Sequence, residues 1–200
     1  MGQPGGPGHL PPLDAGGSLR LFVAVDVPER HRNSIEAAVA PLKAVLPGAR
    51  WTSPATWHVT LKFFGEVAED QLDHLKEGIG RAAVGVPAVE SRLTEIGAFP
   101  SMAKARVLWV GIEDAGSNLA RLAERIGAEC GLSDDRPLHP HLTLARMKVP
   151  AAIAPAVDRF RPYALEEEPF VVDRMTLFRS YTERSGSRYE VLDTWALSTD

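Results

Sequence analysis

The chain has 200 residues, 44% hydrophobic and 24% charged, which is ordinary for a globular protein long enough to bury a proper core as one domain or two small lobes sharing a cleft. Its 22 Lys and Arg against 26 Asp and Glu leave a formal net charge of −4, which argues against a sequence-independent nucleic-acid coat built to neutralise many phosphates, but not against an enzyme that recognises one nucleic-acid end. The single cysteine, Cys130, excludes an intramolecular disulfide and any multi-cysteine zinc or iron–sulfur site, and makes a cytoplasmic address the default expectation.

Residues 1–18 are rich in Gly and Pro and carry neither an apolar run nor a basic leader. They read as a disordered tail, with the folded domain expected over 19–198. No stretch approaches the roughly 18 apolar residues of a membrane span. From Arg20, RLFVAVDVP reads as a strand, and Ile35, Val39, Leu42 and Leu46 give residues 30–46 helical spacing, with Pro41 expected to kink or restart that helix. WHVTLKFF, residues 57–64, is a second strand, followed by a helix marked by Leu72, Leu75 and Ile79 and a strand near 88–98. ARVLWVGIE, residues 105–113, is an apolar strand. Ser117 is the expected N-cap of a helix whose buried face is Leu119, Leu122, Ala123 and Ile126. HPHLTLAR, residues 139–146, is again a strand, and a short helix near 151–160, a strand at 169–180 and a last strand at 188–197 complete the chain.

Aligning the two halves exposes an internal repeat, because Arg20 precedes His58 by nearly the same distance as Arg106 precedes His141. Each half reads as strand, helix, then a strand carrying His-x-Thr-Leu. The expected fold is therefore α+β, with two pseudo-symmetric βαβ-type lobes of antiparallel-rich sheet flanking a central cleft and helices on the outer faces.

Side chains alternate along a strand, so His58 and Thr60 are expected on one face and Val59, Leu61 and Phe63 on the other, against the helices. His141 and Thr143 are likewise paired opposite Leu142 and Leu144. Hydrolysing a phosphodiester without a metal requires a base to activate water, an acid for the departing oxygen and donors for the non-bridging oxygens. Two histidines and two threonines supply that set, and imidazole, with an unperturbed pKa of about 6.5, can be neutral in one ring and charged in the other. A lone strand histidine is more often structural, and threonine is common in strands for its branching alone. Duplication of one tetrapeptide at equivalent places of a repeat outweighs that reading.

The chain resembles the two-histidine phosphoesterases, specifically the RNA 2′,3′-cyclic phosphodiesterases historically called 2′-5′ RNA ligases. The likeness spans about residues 19–198 and rests on RLFVAVDVP, LPGARWTSPATWHVTLKFFGEV, AFPSMAKARVLWVGI, RPLHPHLTLAR, MTLFRS and SRYEVLDTWAL. It implies metal-independent hydrolysis of a terminal RNA cyclic phosphate to a 2′-phosphomonoester, with His58 the proton donor to the leaving 3′ oxygen and His141 the acceptor that activates water. Thr60 and Thr143 would bind phosphate oxygens, and Arg146 matches an arginine that approaches the phosphate in relatives. On an ideal strand Arg146 lies on the face opposite His141, so it reaches the phosphate only where the strand ends or bulges, and is otherwise a surface arginine.

The remaining candidates are weaker. His139 forms a His-Pro-His pair with His141, but no metal-ligand spacing accompanies it, so a positioning or surface role is expected. His9 falls in the tail, and His31 and His74 on helices. Phe22 and Phe64 are candidates for stacking on a base, or core residues. Lys62 is assigned to the His58 face, as positive potential for the phosphate or a solvated charge. No P-loop or dinucleotide fingerprint is present, so no cofactor is expected. The expected partner is an RNA end or small cyclic nucleotide, with no membrane and no obligate protein partner. Two alternatives stand beside hydrolysis: joining a cyclic phosphate to a 5′-hydroxyl as a 2′-5′ ligase, and a non-catalytic module that only grips a nucleotide or RNA phosphate.

Overall fold

The computed structural model describes residues 17–132, 137–160, 165, 168–183 and 186–198. The expectation of a disordered tail falls on residues 1–16, which lie outside the described residues, up to the point where Ser18 opens β1. In chain order the elements are β1 (Ser18–Asp26), α1 (Glu29–Val45), β2 (Ala49–Trp51), β3 (His58–Ala68), α2 (Leu72–Ala83), β4 (Val89–Phe99) and β5 (Ala105–Asp114). There follow α3 (Asn118–Glu129), β6 (His141–Ala151), α4 (Ala154–Phe160), β7 (Phe170–Val172), β8 (Arg174–Glu183) and β9 (Gly186–Ala196).

The strands form one sheet in the order β7-β4-β5-β6-β3-β1-β8-β9, with β2 set against β6, and the paired strands are antiparallel. The two halves meet at the middle, where β3 and β6 share one pairing, Val59 opposite Leu142, before diverging. Both residues are fully buried. β7 and β8 lie toward opposite ends of the sheet yet are separated only by Asp173, so the sheet must curl to bring its ends together. The Leu197 N–H donating to Asp173 O (2.7 Å) and a bridge between Pro87 and Ser198 close that seam. This seam is why the strand expected over 169–180 is two strands.

The helices interlock the halves. α1 follows β1 but packs on α4 and reaches β7, where the His31 ring lies tilted against Phe170 at 4.8 Å and its Nε2 donates to Glu168 O at 2.9 Å. α3 follows β5 but packs on α2 and β3. α1 continues through Pro41, so the helix does not restart there. At the start of α3, Ser117 makes no side-chain cap. The Asp114 carboxylate does so instead, accepting from the N–H groups of Leu119 (2.9 Å) and Ala120 (3.1 Å). Among the described residues no helix is long and apolar enough to cross a membrane.

Where β3 leaves β6, the segment before β3 fills the gap. β2 pairs along the freed edge of β6, with Ala49, Arg50 and Trp51 opposite Met147, Arg146 and Ala145. Thr52 extends the attachment: its N–H donates to Leu144 O (2.9 Å), and its hydroxyl hydrogen is shared between Thr143 O (2.9 Å) and Leu144 O (2.8 Å). The same oxygen accepts from the indole N–H of buried Trp57 at 2.8 Å, immediately before His58. Thr52→Val removes both roles and leaves the indole N–H without its acceptor, a loss of about 1–3 kcal/mol. Denaturant unfolding is expected to show that loss in Thr52→Val and to recover most of it in Thr52→Ser.

Candidate active site

The central pairing sets the site. With Val59 opposite Leu142 and both turned into the core, antiparallel register carries His58 toward Thr143 and Thr60 toward His141 on the open face of the sheet. All four side chains are partly buried.

Each imidazole is held in the same way. His58 Nδ1 donates to Thr56 O at 2.8 Å, and His141 Nδ1 donates to His139 O at 2.7 Å. A carbonyl only accepts, so Nδ1 carries the proton in both neutral rings and Nε2 is left as the free nitrogen. At His58 this Nε2 lies 3.1 Å from Thr60 Oγ1, whose hydroxyl donates to it. The Thr56 carbonyl is itself fixed by a short turn in which Thr56 N–H and Oγ1–H both donate to Ser53 O, at 2.9 and 2.8 Å.

Aromatic rings back each histidine. His58 stacks on Phe22 at 4.8 Å and meets Tyr189 edge-on at 5.2 Å, with Phe178 completing the wall at 5.2 Å from Phe22. His141 meets Phe99 edge-on at 5.0 Å and Trp109 at 6.2 Å. The indole of Trp109 lies directly over Gly97, its cross-strand partner, where an added Cβ would fall 2.2 Å from the ring. His139 is exposed, its ring against Trp109 at 5.0 Å, and its carbonyl is what orients His141.

Two β-bulges decide what lies beyond the threonines. Along β6, Thr143 pairs with Trp109 and Ala145 with Leu108, so Leu144 is an extra residue. Leu144 and Ala145 are both buried, and alternation resumes with Arg146 exposed on the face of His141. The parity that sets Arg146 aside on an ideal strand is thus reversed. The same bulge recurs in β3, where Thr60 pairs with Ala24 and Lys62 with Val23, leaving Leu61 extra. This corrects two expectations. Lys62 is not on the His58 face but 5% exposed beneath the sheet, against α3, where a Cβ on Gly127 would come within 3.0 Å of its Nζ. Phe63 is not in the core but 49% exposed on the open face, opposite Phe22, with the Arg20 guanidinium 4.6 Å from its ring centre. Phe63 therefore occupies in one half the position of Arg146 in the other. Phe22 is 4% exposed and Phe64 is partly buried against the core.

Burial holds both imidazoles below their ordinary pKa of 6.5, and the nearby charges differ. At His58 burial is opposed by the Thr56 hydrogen bond and by Asp26, its cross-strand partner, while His141 adds a smaller downward push. At His141 burial is opposed by the His139 hydrogen bond but reinforced by the charges of His139 and Arg146. The free thiol of Cys130, between α2 and α3, is pushed up to about 11 chiefly by burial. Among the described residues no three His, Cys, Asp or Glu side chains gather in a way that could hold a metal ion.

The chain is similar in sequence and fold to known proteins. The chain is 34% identical over 190 residues to a Thermus thermophilus protein named RNA 2′,3′-cyclic phosphodiesterase, covering 90% of each, and 31% identical over 186 residues to an Escherichia coli protein of the same name, covering 90% of this chain and 97% of the other. Among solved structures, one from Thermus thermophilus superposes with a TM-score of 0.73 at 31% identity, covering 91% of this chain and all of that one. The Escherichia coli LigT complexed with 3′-AMP superposes at 0.69 and 25% identity, covering 92% of this chain and all of that one. The LigT-like phosphoesterase model matches twice in tandem, over residues 25–109 and 110–189, one match for each half of the repeat, and the chain belongs to that family.

Proposed function

We propose that this chain hydrolyses the terminal 2′,3′-cyclic phosphate of RNA to a 2′-phosphomonoester by acid–base catalysis between its two histidines. The observation that carries the reading is the pair of imidazoles, each with Nδ1–H bound to a carbonyl two residues back, which makes Nε2 the nitrogen that exchanges a proton. His141 Nε2 takes a proton from water as the water oxygen bonds to phosphorus. The bond from phosphorus to the 3′ oxygen breaks, and that oxygen receives the proton held on His58 Nε2. Thr60, Thr143 and Arg146 donate to the phosphoryl oxygens as negative charge builds there.

The assignment of acid and base is supported by the surrounding charges. Asp26 favours the protonated ring at His58, whereas Arg146 and His139 favour the neutral ring at His141. The exposed ring of Phe63 offers a stacking surface to the unpaired terminal base.

Steady-state assays on an oligonucleotide ending in a cyclic phosphate are expected to show kcat reduced by about 10²–10⁴-fold in His58→Ala and in His141→Ala. Wild-type turnover in either variant would sink the two-histidine mechanism. Phe63→Ala is expected to raise KM several-fold with little change in kcat, and an unchanged KM would remove the base from that ring.

The free enzyme needs one proton on the pair, and both rings titrate below 6.5. The optimum of kcat/KM is therefore expected on the acid side of 6.5, falling as rising pH strips that proton. An anionic substrate raises both imidazole pKa values, so the kcat profile is expected at higher pH than that of kcat/KM. Coincident profiles centred above neutrality would contradict the assignment.

A further inference from the structure

Of the three rings that wall in His58, Phe22 and Phe178 are apolar throughout, whereas Tyr189 ends in a hydroxyl. The Tyr189 ring meets His58 edge-on at 5.2 Å and Phe22 at 5.0 Å, which sets it on the open face of the sheet. β9 lies three strands from β3, at about 5 Å per strand, so a ring anchored on β9 and touching His58 reaches inward across the curled face. Its hydroxyl is the tip of that reach. Packing alone does not ask for tyrosine there. Tyr189 is half-buried, yet among the described residues its hydroxyl has no hydrogen-bond partner, although Ser180 stands directly across the strand pair. A sheltered phenol ordinarily bonds its O–H. Tyr181, on the other face of the same hairpin, does so, donating to the carboxylate of Glu190.

We propose that the Tyr189 hydroxyl is a fourth donor to the cyclic phosphate, binding a non-bridging oxygen on the His58 side while His58 gives its proton to the 3′ oxygen. The role rests on the cyclic-phosphate reading above. Of the donors assigned there, Thr143 and Arg146 lie on β6, and Thr60 alone lies on β3, with its hydroxyl turned to His58 Nε2 in the free enzyme. A phenol beside His58 supplies what that side lacks. Its ordinary pKa of about 10 makes it a more acidic donor than an alkyl hydroxyl, and one still protonated at neutral pH, so its bond strengthens as negative charge builds on the phosphoryl oxygens. Being neutral, it also leaves the acid intact, where a cation beside His58 would drive the proton off that ring. The charged donor, Arg146, stands instead on the face of His141, the ring that must be neutral to accept a proton.

Tyr189→Phe keeps the ring against His58 and removes only the oxygen, whereas Tyr189→Ala opens the wall as well. The full-length chain and both variants would be assayed on adenosine 2′,3′-cyclic phosphate, with adenosine 2′-phosphate and adenosine as competing inhibitors, and compared by thermal melting. Tyr189→Phe is expected to lower kcat/KM about tenfold, the loss of one charge-assisted hydrogen bond, and to weaken inhibition by adenosine 2′-phosphate several-fold. Inhibition by adenosine, the melting temperature and the pH at which kcat/KM falls are expected to stay as in wild type. Tyr189→Ala is expected to lose more and to move that fall to higher pH, because water returning to His58 relieves the burial that holds its pKa down. Unchanged kcat/KM and phosphate affinity in Tyr189→Phe, or an equal weakening of adenosine and its 2′-phosphate, would overturn the phosphate contact while leaving the two-histidine reaction intact. A wild type that turns over no cyclic phosphate would overturn the reaction and the contact with it.

Discussion

One pairing, Val59 against Leu142, sits where the two halves of the molecule meet, and the site depends on it. Both side chains are sealed in the core, so their neighbours on each strand are driven to the other face. Because the strands are antiparallel, the histidine of each motif is brought toward the threonine of the other. Slipping that register by one residue would send all four polar side chains into the apolar layer and expose both aliphatic ones. The hydrophobic effect thus enforces the placement of chemistry that it does not itself perform. Beyond the pairing the strands part, and β2 with Thr52 occupies the opening, so the same divergence that makes room for a substrate also creates the edge to which the segment before His58 is fastened.

Much of this is legible in the sequence, because its signals are local. The alternation around His58 and His141 assigns the two faces, and the duplicated tetrapeptide announces the repeat. What escapes is decided by non-local pairing. Nothing in HVTLKFF states that Leu61 will be squeezed out of register against β1, so simple alternation puts Lys62 and Phe63 on the wrong sides. The equivalent squeeze at Leu144 brings Arg146 round to the face of His141, which parity alone denies it. A serine before a helical pattern suggests a cap, but a carboxylate three residues earlier reaches the amides instead. β2, at three residues, is too short for any periodicity to reveal.

The repeat also shows how like halves acquire unlike duties. Both motifs use an identical latch, an imidazole N–H bound to the carbonyl two residues behind, and both are followed by a bulge. Divergence lies just outside that shared frame. One half places an aromatic ring after its bulge and an aspartate across from its histidine; the other places an arginine and a second histidine. Geometry is inherited from the repeat, while the proton affinity of each ring is set by charges that the repeat does not duplicate.

The wall behind His58 comes from far along the chain. Phe178 lies on β8 and Tyr189 on β9, the last two strands, although the histidine belongs to the third. During synthesis both His-x-Thr motifs leave the ribosome well before the rings that immobilise the first of them. α1 likewise waits for α4 and β7, and α3 packs back on a strand already made. Each half therefore borrows part of its packing from the other, and the wall behind the first histidine is complete only once the last strand has been made.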